Sequence, residues 1–444
     1  MQKQYFISEL IDREPLTSIQ WRVFLFCFLV LTCDGFDTQA LAFTGPTVIQ
    51  TFDLGARGLA PILTAGIIGM VIGSMILGFL GDKIGRRPIV LFAITIFGYA
   101  SLATAFVGTP AQMLVFRFVA GLGMGGATPV ILAITAEYCS ASRRGMVMTA
   151  VSMGLPAGAI VGGLIASKML PLIGWRGIFV VGGILPAILL VLLVFALPES
   201  IYYLAREKST RSREKINRII NHISKEKIPT DAAYVLPERD LKTSVSSLFR
   251  DGLGRNTVAI WLVYLCDWVA WFMILSWLPT VLKASGLTAS QAPMGTVVIN
   301  AVAIVGCVLI SIMLPKVNAR GLLIGLFVIG IGASAGLAKS GSEWTLIFVL
   351  IGLAGIGIGC QQIILNYLVA ETYPTALRAT AAGWAIASGR SGAILGSASG
   401  GWFLEHGGPS GFYMALVPPM LVGCIAISIM VTRPASRSSF QSTW

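Results

Sequence analysis

Charge is scarce in this chain of 444 residues. Asp, Glu, Lys and Arg make up 12% of it, where a soluble domain carries about 25%, so a water-facing surface of ordinary extent is excluded. Histidine is rarer still: His222 and His406 are the only two, too few and too far apart for a metal site. The seven cysteines form no CxxC pair and mostly lie in apolar runs, which points to small buried thiols and away from disulfides or metal. No phosphate-binding P-loop is present, which argues against a primary pump. Nor is there a Ser/His/Asp arrangement or metal cluster, so an enzyme is not expected. The first twenty residues are polar and charged, unlike a secretory signal.

What the chain has instead is apolar length. Hydrophobic residues make up 55%, and the mean hydropathy is +0.82. Fifty glycines suit helices that pack backbone to backbone in a bilayer. The net charge of +12 would suggest nucleic acid in a soluble protein. Here no basic patch interleaved with aromatics appears, and basic loops at a membrane surface explain it better. A spanning helix needs about 20 mostly apolar residues. Such runs lie near 23–49, 59–80, 88–107, 111–136, 146–168, 174–197, 257–281, 291–314, 321–338, 344–368, 379–403 and 411–432. Twelve spans are therefore expected in an all-α membrane protein. The one long polar stretch, 199–256, divides them into an N-terminal bundle, 1–198, and a C-terminal bundle, 257–444. Within it Ile216, Ile219, Ile220 and Ile223 recur at helical spacing, which predicts a helix lying on the membrane face. The basic residues of this segment and of the short loops on its side place both termini in the cytoplasm.

The two halves repeat. An offset of 234 carries Gly121, Gly123 and Gly125 onto Gly355, Gly357 and Gly359, Glu137 and Arg144 onto Glu371 and Arg378, and Gly158 and Gly162 onto Gly392 and Gly396. One ungapped register over so many residues implies two six-helix bundles related by duplication, as in parallel-repeat secondary transporters. The charges inside apolar runs break the repeat. Arg117 falls opposite Ile351, Arg390 opposite Pro156, and Asp34 and Asp37 opposite Trp268 and Trp271. They are additions to the common scaffold. An ionisable group at this depth is costly and by default functional. Asp34 and Asp37 stand at i and i+3 on one helix face, a pairing suited to loading and releasing protons; the alternative is a structural ion pair within a bundle.

Several motifs carry a family resemblance. Gly78-x-x-x-Asp82-Lys83-x-Gly85-Arg86-Arg87 between the second and third runs resembles the signature loop of the major facilitator superfamily, a conformational latch. Asp82 is expected at a helix N-terminus there, with the arginines pairing across the inner gate. Arg117-x-x-x-Gly121-x-Gly123 resembles the fourth helix of that family. Asp34-Gly-Phe-Asp37, Pro198-Glu-Ser, Ser276-Trp-Leu-Pro279-Thr, Tyr373-Pro-Thr-x-x-Arg378 and Gly389-Arg390-x-Gly392-Ala-Ile-Leu-Gly396 are similar to the aromatic acid:proton symporters within it. The loop of the second half, Pro315-Lys-Val-Asn-Ala-Arg320, has lost the Asp and Gly.

The resemblance implies a proton-coupled carrier that imports aromatic carboxylates of the benzoate, hydroxybenzoate or protocatechuate type by alternating access. The bacterial cytoplasmic membrane is the expected location, a monomer the working unit, and protons the coupling ion with no other cofactor. Arg390, with Arg117, would take the carboxylate through paired hydrogen bonds. Tyr264, Trp268 and Trp271, with Phe36 and Trp384, would supply ring surface, and Gln362 could meet a ring substituent. Asp34 and Asp37 would carry the proton. Asp267, where the family has a small residue, could pair with Arg390 or Arg117, accept from a substrate hydroxyl or bind the proton. Asp82, Arg86, Arg87, Glu137, Arg144, Glu371 and Arg378 would form gates, with Glu137 pairing with Arg144 or a neighbouring loop. The rivals are a proton-driven exporter or another organic-anion carrier on the same fold and, more remotely, a non-transporting sensor.

Overall fold

The computed structural model describes residues 4–12, 15–207, 209–223, 233–235, 244–250, 252–341 and 343–430. The end of the expected run 411–432 and much of the expected central segment lie outside them. The described residues are nearly all helical. In chain order the helices are α1 (Ile7–Asp12), α2 (Ser18–Thr51), α3 (Ala56–Ile84), α4 (Arg86–Thr104), α5 (Pro110–Glu137), α6 (Arg144–Ser152), α7 (Gly154–Ala196), α8 (Ile201–Glu207), α9 (Thr210–Ile223), α10 (Gly254–Ala284), α11 (Ala292–Met313), α12 (Ala319–Lys339), α13 (Trp344–Gly357), α14 (Gln361–Thr372), α15 (Thr375–Met414) and α16 (Val417–Ser428). Two three-residue strands, Gln4–Phe6 and Ala233–Val235, pair in parallel.

Among the described residues, ten helical stretches are long and apolar enough to cross a bilayer. Two of them, Arg144–Ala196 and Thr375–Ser428, run to 53 and 54 residues, far beyond one crossing. Each doubles back at a glycine in the left-handed region: Gly174 at φ 65° and Gly408 at φ 59°. The proof lies in the packing. Phe36 meets both Gly162 and Gly182, which a straight helix would hold about 30 Å apart. Gly392 and Gly423 likewise both reach the Leu265–Cys266 stretch of α10. With the two arms of each doubled stretch counted separately, the ten stretches among the described residues divide into twelve apolar segments, and the 234-residue offset also carries Gly174 onto Gly408.

Paired glycines of the repeat do the same work in both halves. A β-carbon on Gly158 would strike the Thr32 carbonyl of α2, and one on Gly392 would strike the Leu265 carbonyl of α10. Such contact between backbones is what small residues permit in a membrane. The structure also corrects the reading of the central segment. Residues 210–223 are helical, but Ile216, Ile219, Ile220 and Ile223 are buried together with Ile7, Leu10 and Ile11 of α1 and Val23 of α2. The apolar side of α9 is satisfied by protein, so it does not lie on lipid. The face carrying α9 is called the loop face below, and its opposite the far face.

Candidate functional site

The buried charges of the first half form one connected network. Asp37 is 1% exposed and Arg117 is 3% exposed. Arg117 Nη1 donates to Asp37 Oδ2 at 3.0 Å, and its Nη2 donates to Thr104 Oγ1 at 3.2 Å. The guanidinium lies over the Phe179 ring, 4.7 Å from the centroid. Ser101 donates to the other oxygen of Asp37. Asp34, one turn earlier on α2, accepts from Thr38 at 3.1 Å and from Thr128 at 3.0 Å. The two carboxylates thus differ: Asp37 has a cation, and Asp34 has only hydroxyls. A buried charge is tolerated only when paired and hydrogen-bonded, and Asp37 with Arg117 meets that condition.

Arg390 sits elsewhere. It donates to Ser74 of α3 and lines a cavity of about 690 Å³ between α3, α5 and α15. That volume falls in the range of small-molecule sites. Pro129, Val71 and Ile394 supply apolar wall, and Trp384 supplies a ring. Trp384 stacks on Trp261 at 5.7 Å with 25° between planes. The cavity reaches toward the loop face past Gly383 and Thr380. Toward the far face the two halves close. Arg57 Nη2 lies 2.8 Å from His406 Nε2, Arg57 Nε lies 3.6 Å from Glu405, and Gly401 packs on the backbone of Ala56. A second cavity, about 40 Å³, lies farther along α3 toward the far face, beside Asp37, Arg117, Gln39 and Met70.

The aromatic residues of α10 divide. Trp268 Nε1 donates to Gln362 Oε1 at 2.7 Å, and its ring lies against Gly389, next to Arg390. Trp271 lies against Gly359 at the break between α13 and α14. Tyr264 is fully buried and donates to Asn366 Oδ1 at 2.8 Å, to which Gln362 Nε2 also donates at 3.2 Å. Gln362 is therefore held by α10 and α14, and Asn366, missed in the sequence, completes the set. Phe36 does not reach the Arg390 cavity. Its ring fills the space between the two glycine-rich arms of α7, because glycines there leave a slot of ring size. Asp267 is 3% exposed and its Oδ1 has no hydrogen-bond partner among the described residues. It pairs with neither arginine, since Arg117 is held by Asp37 and Arg390 faces α3.

The loop-face residues also shift roles. Asp82 is in the last turn of α3, not at a helix start, and meets Arg86 at 3.5 Å. The N-terminus of α4 is capped instead by Glu199, whose Oε1 accepts from the backbone amides of Arg86 at 2.9 Å and Arg87 at 3.0 Å. A carboxylate there satisfies orphan donors and the positive end of the helix dipole. Glu137 pairs with Arg86 and accepts from Ser200 Oγ at 2.6 Å; Arg144 is not its partner. Arg87 reaches the Val194 carbonyl. In the second half Asn318 caps α12, Arg378 Nε donates to the Tyr373 carbonyl at 3.1 Å, and Glu371 is exposed.

Two six-run halves, a cation-bearing cavity between them and a capped loop at their base define a membrane carrier. The sequence profile of the Major Facilitator Superfamily matches residues 27–341 and 316–444, and the chain belongs to that family. It is 32% identical to the 4-hydroxybenzoate transporter PcaK of Pseudomonas aeruginosa over 95% of this chain and 94% of that protein. It is 29% identical to a gallate transporter of Pseudomonas putida over 90% and 89%. The inward open structure of the xylose transporter XylE from E. coli superposes with a TM-score of 0.75 at 16% identity, covering 94% of this chain and 98% of that one; the fold is shared. The protein is thus a multi-pass transporter and not an enzyme.

Proposed function

We propose that this carrier imports small aromatic carboxylates together with protons across a bacterial cytoplasmic membrane, with the loop face and both termini in the cytoplasm. The observation that carries the reading is Arg390: a guanidinium on a cavity of about 690 Å³ with an aromatic wall, bonded to a hydroxyl and not to a carboxylate. An arginine so placed has its paired donors ready for an anion. Arg117, by contrast, already has Asp37, so it belongs to the proton-handling network and not to the carboxylate site. Asp37 gains a proton as it releases Arg117, Asp34 exchanges one through its hydroxyl partners, and Asp267 is a third candidate in the second half. The relatives' names, 4-hydroxybenzoate and gallate transporter, agree with this substrate class.

Transport follows from rocking of residues 1–198 against 257–444 about the central segment 199–256, within one monomer. No cofactor is required beyond the proton. Coupling needs substrate and proton to favour the same state. The test is uptake and counterflow of labelled benzoate, 4-hydroxybenzoate and protocatechuate in proteoliposomes under an imposed proton gradient. Inward accumulation driven by an acidic exterior is expected. Arg390→Ala should abolish binding, and Arg390→Lys should restore little of it. Accumulation in the opposite sense would identify an exporter. Normal affinity in folded Arg390→Ala protein would move the carboxylate elsewhere.

A further inference from the structure

We infer that Gln39 of α2 hydrogen-bonds the ring hydroxyl of the substrate and so sets a preference for hydroxylated over plain aromatic carboxylates. The inference rests on the substrate reading above. Three observations carry it. Gln39 is 6% exposed, and its Oε1 has no hydrogen-bond donor among the described residues. Burying an acceptor without a donor is costly, which points to a donor supplied when substrate is bound. Second, Gln39 lines the cavity of about 40 Å³ that also touches Met70 of α3 and Phe272 and Ser276 of α10. It therefore stands where the two halves meet.

The third observation is spacing. Arg390 holds Ser74, and Met70 is one helical turn from Ser74, about 6 Å along α3. That is the reach of one benzene ring between a carboxylate and a para substituent. With its carboxylate on Arg390 and its ring laid along α3, the substrate would bring its para position to the Met70 end of that span, beside the smaller cavity. That cavity is too small for a ring and large enough for a hydroxyl or a water. The other acceptors there are committed: Asp37 to Arg117 and Ser101, and Ser276 to Ser397 at 3.0 Å. Thr38 is bonded to Asp34, and Arg117 Nε, without a partner among the described residues, can only donate, so Gln39 Oε1 is the acceptor left to take a hydroxyl proton.

The test uses purified full-length protein in detergent, with dissociation constants measured by calorimetry for benzoate, 4-hydroxybenzoate, 4-fluorobenzoate and 4-methoxybenzoate. Wild-type protein should bind 4-hydroxybenzoate about tenfold more tightly than the fluoro and methoxy analogues, which cannot donate. Gln39→Leu should remove that advantage and leave benzoate within about twofold. Gln39→Met serves the same purpose if the leucine variant does not fold. Equal affinity for hydroxy and methoxy compounds in wild type overturns the inference while leaving carboxylate transport standing. An equal loss for all four compounds in Gln39→Leu also overturns it, because that is a packing effect. Failure of every one of these carboxylates to bind wild-type protein overturns the function proposed above, and this inference with it.

Discussion

Asp37 and Arg117 illustrate what a buried ion pair demands. Each is nearly inaccessible, and each spends its hydrogen-bonding capacity on a partner from another helix. Removing one member leaves the other as an uncompensated buried charge, at a cost of about 3–5 kcal/mol. Arg117→Gln and Asp37→Asn should each lower the thermal midpoint in detergent, and the double variant should lose less than the sum of the two. Full additivity would show that the two residues act separately. Asp34→Asn should behave differently. Among the described residues its oxygens accept only from Thr38 and Thr128, so the amide is expected to cost about 1 kcal/mol yet abolish proton-driven accumulation in a flux assay. Unchanged uphill uptake by that variant would clear Asp34 of coupling. The sequence showed that these charges were exceptional, since they break the repeat. It could not say which carboxylate owned the cation, because that depends on α5 lying across α2.

Among the elements, the start of α4 depends on a residue more than a hundred positions away. Glu199 accepts from the Arg86 and Arg87 amides and from its own neighbour Ser200 at 2.8 Å. Gly85 holds a φ of 114° and brings its backbone so close that a β-carbon would meet the Glu199 carboxylate. Loss of such a cap costs about 1 kcal/mol and exposes two orphan amides. Glu199→Ala should therefore lower transport turnover and raise hydrogen exchange at the first turn of α4, with substrate affinity unchanged. Protected Arg86 and Arg87 amides in that variant would disprove the cap. The sequence reading assigned this work to Asp82 on local spacing. Asp82 is still within the last turn of α3 and meets the Arg86 side chain, which leaves the first amides of α4 to the Glu199 carboxylate.

For the molecule as a whole, the balance of states turns on contacts between the halves. Arg57 reaches Glu405 and His406 across the far face, while the Arg390 cavity opens toward the loop face. The groups are half exposed, so the pair contributes on the order of 1 kcal/mol or less. That is still enough to change a two-state population severalfold. Arg57→Glu should repel Glu405 and favour opening at the far face. A cysteine introduced near Gln39 should then react faster with a reagent applied from that side. Equal labelling rates would show that the packing of Gly401 on Ala56 alone holds the face shut.

Apolar run length, the break of charge at 199–256 and the 234-residue register were enough to establish a duplicated all-α membrane carrier. Those signals are local or periodic, and bilayer thickness and backbone hydrogen bonding leave few other folds for them. The residue types of the candidate site, including Arg390, Asp34 and Asp37, were legible for the same reason: a charge in an apolar run has no cheap explanation. Pairing was not legible. That Arg117 belongs to Asp37, that Phe36 fills a slot between glycines, that α9 rests on α1 and that Gln39 is left without a donor all depend on which helices touch. Helix contacts in a membrane are set by the fit of many small surfaces at once, and no single stretch of sequence encodes its partner.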